Sequence, residues 1–248
     1  MVRSLLIKGM LVGLLAGVLA FAFAWVFGEP QVDLSIAFED HMHQMAVDAP
    51  EPEIVSRALQ SSVGLLTGVA VYSCALGGIF ALVFAYTYGR IGQFGPRGTA
   101  ALLAAVAYVV LVVVPQIKYP ANPPSIGDPE TIGLRTAVYF TMIAVSIIAA
   151  VAAVLTTKQF AARLGGWNST LAGGGVYLLV VAGGMAILPP VNEVPDDFSA
   201  VTLWNFRLSS LGIGAVLWTT LGLAFGVLTK RQFNPRARSR LPATSSAG

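Results

Sequence analysis

Six stretches of this chain carry apolar side chains and almost no charge, each about as long as the 17–25 residues that a helix needs to cross a bilayer. They run from about Leu5–Phe27, Ser61–Tyr86, Thr99–Ile117, Thr136–Thr157, Ser169–Leu188 and Leu208–Leu228. In hydrocarbon every backbone N–H and C=O must be satisfied internally, which restricts such runs to helices. The chain as a whole is 56% hydrophobic and 11% charged, against about 25% charged residues in soluble proteins. The sequence therefore predicts an all-α integral membrane protein: six transmembrane helices, arranged as three antiparallel hairpins, over residues 1–230. Residues 231–248, basic and then rich in Pro, Ser and Ala, read as a disordered cytoplasmic tail. Arg3 and Lys8 ahead of the first run resemble a signal peptide, but that run exceeds the roughly 7–15 apolar residues of a signal core, so it reads as a retained helix.

Charge placement sets orientation. With both termini and the loops 89–98 and 158–168 on one side, eleven of the fifteen Lys and Arg fall there, and all twelve Asp and Glu fall on the other. Cytoplasmic loops carry the Lys/Arg excess, so both termini are expected in the cytoplasm. Acids contribute little to orientation, so their complete segregation leaves two readings: a use on the outer face, most simply the gathering of cations, or no more than keeping those loops soluble. The basic tail suits anionic lipid headgroups. The basic residues lack the aromatic interleaving that nucleic acid would require.

The longest polar segment, Gly28–Gln60, holds both histidines, with a short helix expected over Ile36–Val47. Glu39, Asp40, His41, His43 and Met45 combine imidazole, carboxylate and thioether, a donor set suited to a divalent transition metal. In a helix His43 would share a face with Glu39 and Asp40 while His41 diverged from it. In an extended strand the two histidines would converge. Either geometry permits a weak site of two or three ligands.

A second pattern recurs outside the membrane. Arg57, Arg135 and Arg207 each stand just before a returning span, with Glu53, Asp128 and Glu130, and Asp197 upstream of them. Long cationic side chains at such positions anchor at headgroups or pair with acids, so these residues read as structural rather than substrate-contacting. Within the spans, Gly9, Gly13 and Gly17 form one small-residue face and Gly64 and Gly68 another, the signature of close helix packing in lipid. Cys74, the single cysteine, reads as a packed, inert thiol.

No ionisable residue falls near the middle of any expected span, which argues against a conventional proton-coupled pump. A cation would have to pass along hydroxyls, sulfurs and carbonyls freed at glycine or proline breaks. There is no GxxxxGK[ST] phosphate loop and no His/Asp pair at membrane depth, so an enzyme is not expected, nor a tightly bound cofactor.

The stretch Lys118–Arg135, KYPANPPSIGDPETIGLR, contains four prolines. Proline fixes φ and drives its predecessor to extended conformations, so this connector is preset rather than floppy. Together with Asn192-Glu-Val-Pro195 and Leu203-Trp-Asn-Phe-Arg-Leu-Ser-Ser-Leu-Gly212, it resembles the CbtA family of bacterial cobalt transporter subunits, and the resemblance covers most of the chain. It implies a membrane permease subunit for a divalent transition metal, cobalt as its substrate, a link to cobalamin metabolism, and a small single-span companion of the CbtB type. The alternative is a non-transporting scaffold subunit of a larger membrane complex.

Overall fold

The computed structural model describes residues 2–46, 55–124 and 126–233. These are helical, with no strand among them. Five helical stretches are long and apolar enough to cross a membrane: Val2–Met45, Arg57–Thr87, Pro96–Lys118, Ile132–Ile187 and Ala200–Lys230. In chain order they contain α1 (Val2–Phe23), α2 (Glu29–Ala46), α3 (Arg57–Leu59), α4 (Leu65–Thr87), α5 (Pro96–Tyr108), α6 (Val114–Lys118), α7 (Ile132–Ile187) and α8 (Ala200–Phe233). The remainder of the expected tail, and Glu53, lie outside the described residues.

Two compact units divide the chain. The first comprises residues 1–21, 62–105 and 215–248. Here the glycine face of α1 does what its spacing predicts. A Cβ added to Gly9 would strike the carbonyl oxygen of Gly77, and one added to Gly13 would lie 3.0 Å from the Ser73 carbonyl carbon. The backbones of α1 and α4 thus touch, gaining dispersion contact where lipid offers no hydrophobic drive. The partner surface on α4 is Ser73 and Gly77, not the expected Gly64/Gly68 face, for Gly68 has nothing within 4 Å. Further along α4, Phe80 and Phe84 meet Phe225 of α8 edge to face at 5.4 and 5.1 Å, the favoured geometry for ring quadrupoles. Cys74 is half-buried.

The second unit comprises residues 22–61 and 106–214. All nine acids among the described residues belong to it. Its core gathers Val114, Tyr119, Val138, Met142, Ala149 and Val181. Within α7, Gly165 leaves the helical region (φ 73°, ψ 171°). Ser146 and Tyr177 share a hydrogen bond of 2.9 Å, while Gly184 lies against Val145 and Gly173 against Ala153 and Thr157. Partner numbers fall as residue numbers rise, so the two halves of α7 run antiparallel and the break at Gly165 is a tight reversal. The expected loop 158–168 is therefore helical except at that glycine. A single residue at positive φ is sufficient to turn the chain.

A further departure from the sequence reading has a local backbone cause. Gly28–Gln60 was expected to be polar loop with a short helix at Ile36–Val47, yet helix continues from the first span through Pro30 to Ala46. A widened π-turn, Ala24–Gly28, precedes that proline, and the Glu29 N–H reaches back five residues to the Ala24 carbonyl. The same device, Val109–Val113 with the Val114 N–H on the Val109 carbonyl, precedes Pro115 at the same offset. Proline lacks the N–H and crowds the preceding turn; a π-turn opens that turn and lets the helix pass through. The fourth and last expected spans also begin early, at Ile132 rather than Thr136 and at Ala200 rather than Leu208, so Arg135 and Arg207 both sit inside helices.

Candidate ligand cavity

The described residues of the connector 119–128 are non-helical, as its prolines predict, and they are tied down at several points. Tyr119 donates its hydroxyl to the Pro189 carbonyl at 2.8 Å. Burial of this phenol pushes its pKa above the ordinary tyrosine value, which keeps it a donor. Pro123 is fully buried and Ile126 nearly so. Asp128 closes the end of the connector: its Oδ1 accepts from the Glu130 N–H at 2.9 Å and its carbonyl from the Thr131 hydroxyl at 2.9 Å. A short 3₁₀ turn, Pro129–Thr131, then leads into α7.

Both arginines downstream hold this one connector. Arg135 Nη2 donates to the Asp128 carbonyl at 3.1 Å, and its Nε lies 3.2 Å from Glu193 Oε2. Glu193 in turn accepts from the Asp128 backbone N–H at 3.2 Å. Arg207 Nε donates to the Ala121 carbonyl at 3.2 Å and its Nη2 to Asn122 Oδ1 at 3.0 Å. Arg57, the third member of the pattern, pairs with Glu29 and with Asp33, the latter at 2.9 Å. The sequence pointed to these arginines but not to Glu29, Asp33 and Glu193 as partners. Glu130 and Asp197 are exposed.

Between the connector, the start of α7, the stretch Val191–Val194 and α8 lies a cavity of about 430 Å³, within the roughly 300–1,000 Å³ typical of small-molecule sites. Arg135, Arg207, Gln116, Asn122, Asn192 and Ser210 line it, with Ile132, Phe140 and Val191 among its apolar walls. Gln116 Nε2 donates to Ser210 Oγ at 3.1 Å, leaving the serine hydroxyl proton free for a further acceptor. No single stretch announces this cavity, because its lining comes from four separated segments.

The histidine segment lies elsewhere, on α2. Glu39 is half-buried, and Asp40, His41, His43 and Met45 are exposed. Because α2 is helical here, His43 shares a face with Glu39 and Asp40, whereas His41 faces elsewhere, with Met45 one turn on. Among the described residues, no three or more His, Cys, Asp or Glu side chains come together in a way that could hold a metal ion.

Long apolar helices packed through glycine, with charge confined to their ends and connectors, define a multi-pass membrane protein. The chain belongs to the CbtA family: the family model described as Probable cobalt transporter subunit (CbtA) matches residues 2–230. No curated protein and no solved structure matches it.

Proposed function

We propose that this chain is a six-crossing permease subunit that admits a divalent transition metal, cobalt first among candidates, across a bacterial plasma membrane with both termini in the cytoplasm. The observation that carries this reading, beside the family, is the segregation of charge: all nine acids among the described residues lie in one unit, and none of them in the other. An acidic face concentrates divalent cations and speeds their arrival. Counting the two antiparallel halves of α7 as separate crossings raises five long helical stretches to six. The first contacts for the ion are Glu39, Asp40 and His43 on one face of α2, with His41 and Met45 on another, each a weak and readily released set of ligands. Rapid release suits a gathering role better than tight capture would. The metal is cargo here, and no tightly bound cofactor is needed.

The test is cobalt and nickel accumulation in a strain lacking the protein, complemented with wild type or with His41→Ala/His43→Ala. Unchanged uptake in the null strain would remove the permease reading. A second reading, a scaffold subunit of a larger membrane complex that includes a small single-span companion, is favoured by the glycine-packed contact of α1 with α4. Stoichiometric co-purification with large partners, and no metal-dependent phenotype in the null strain, would support it.

A further inference from the structure

We infer that the cavity beside Arg207 is a binding site for a small carboxylate anion. The lining includes two guanidinium groups and, among the described residues, no carboxylate. Arg135 is compensated by Glu193 at 3.2 Å. Arg207 has only neutral acceptors, the Ala121 carbonyl and the Asn122 side-chain oxygen, and no acidic partner among the described residues. A guanidinium carries five N–H donors in a planar fork, and these two bonds leave donors unused. Around it stand the Asn122 amide nitrogen, the Ser210 hydroxyl and Asn192, which makes no hydrogen bond among the described residues.

This arrangement repels a bare metal cation and invites an anion. One uncompensated positive charge, a planar donor fork and neutral amide donors match a carboxylate in charge and shape. The apolar walls from Ile132, Phe140 and Val191 would cover a short carbon skeleton. Two sources share this chemistry: a free di- or tricarboxylate, and the carboxylate shell of a chelated divalent metal, which binds hard oxygen ligands readily. The second source deepens the transport reading, while the site itself stands on the geometry of the cavity alone.

The experiment uses the full chain in lipid nanodiscs, titrated calorimetrically with citrate, with cobalt citrate, with cobalt chloride and with inorganic phosphate. Saturable binding of citrate is expected, weakened by about tenfold in Arg207→Gln, the worth of one charge-assisted hydrogen bond. Because Arg207→Gln also frees the connector, Asn192→Asp provides an independent arm: it leaves the Arg207 bonds in place, adds a negative charge to the cavity and should abolish citrate binding. Tighter binding of cobalt citrate than of citrate identifies the metal complex as the ligand, and equal binding identifies the free acid. Absence of citrate binding, equal affinity for phosphate, or wild-type affinity in both variants would overturn the assignment. Failure of the null strain to lose cobalt uptake, with citrate binding intact, would overturn the permease alone.

Discussion

Glu193 Oε2 stands 3.2 Å from Arg135 Nε and 3.2 Å from the Asp128 backbone nitrogen, so one carboxylate fastens both the connector and the arginine that holds it. The side chains of Arg135 and Glu193 are 25% and 17% exposed, dry enough for the contact to matter more than a surface ion pair. Glu193→Gln should destabilise the protein by about 1–3 kcal/mol, the range for losing a charged hydrogen-bond partner. Thermal unfolding in detergent measures the loss. The double variant Arg135→Gln/Glu193→Gln should lose less than the sum of the two single variants, because coupled residues are not additive. Strict additivity would mean that the pair does not interact.

Helix contact in the first unit can be tested with one methyl group. Gly77→Ala would drive a Cβ into the Gly9 carbonyl oxygen, at a cost of about 1–3 kcal/mol for overpacking. Gly68→Ala meets open space and should gain about 0.5–1 kcal/mol from helix propensity. The readout is the fraction of folded, monodisperse protein after heating. Equal behaviour of the two variants would refute backbone contact between α1 and α4.

Labelling of single cysteines in a Cys74→Ala background tests the membrane topology. Asp128→Cys and Asp196→Cys should react with an impermeant maleimide on intact cells, whereas Gln93→Cys and Gln159→Cys should react only after permeabilisation. Labelling of Gln159→Cys from outside would mean that the two halves of α7 do not each cross the bilayer.

The helical phase of α2 ranks the histidines. His43 shares its face with Glu39 and Asp40, so His43→Ala should lower cobalt accumulation more than His41→Ala does. Equal losses would favour an extended segment in which both histidines act together, and no loss in either would remove this segment from the uptake path.

Much of the fold was legible because hydrocarbon leaves the backbone few choices. The apolar runs located five helical stretches long and apolar enough to cross a membrane, and the spacing of Gly9, Gly13 and Gly17 located a packing face. What the sequence concealed was long-range or local in unusual ways. The passage of helix through Pro30 was hidden, since nothing in Ala24–Gly28 marks a π-turn. Arg135 and Arg207 were recognisable as members of a three-arginine pattern with Arg57, but the connector that both hold could be identified only through Ala121, Asn122 and Asp128. The nearest upstream acid proved a poor guide, because the partner of Arg135 is Glu193, on the far side of α7. The geometry of the histidine segment was open in sequence, and the length of α2 decided it.

The π-turns before Pro30 and Pro115 also act as register shifters. One residue of an α-helix occupies about 100° of rotation and 1.5 Å of rise, and a π-turn holds one residue more than an α-turn does. Everything downstream of Val109–Val113 is therefore dialled around its axis relative to the helix that precedes it. Letting that turn wind regularly at full length, as Pro115→Ala would permit, would swing Gln116 by about that angle away from Ser210. A substitution that barely moves a hydropathy profile would thus dismantle the cavity wall.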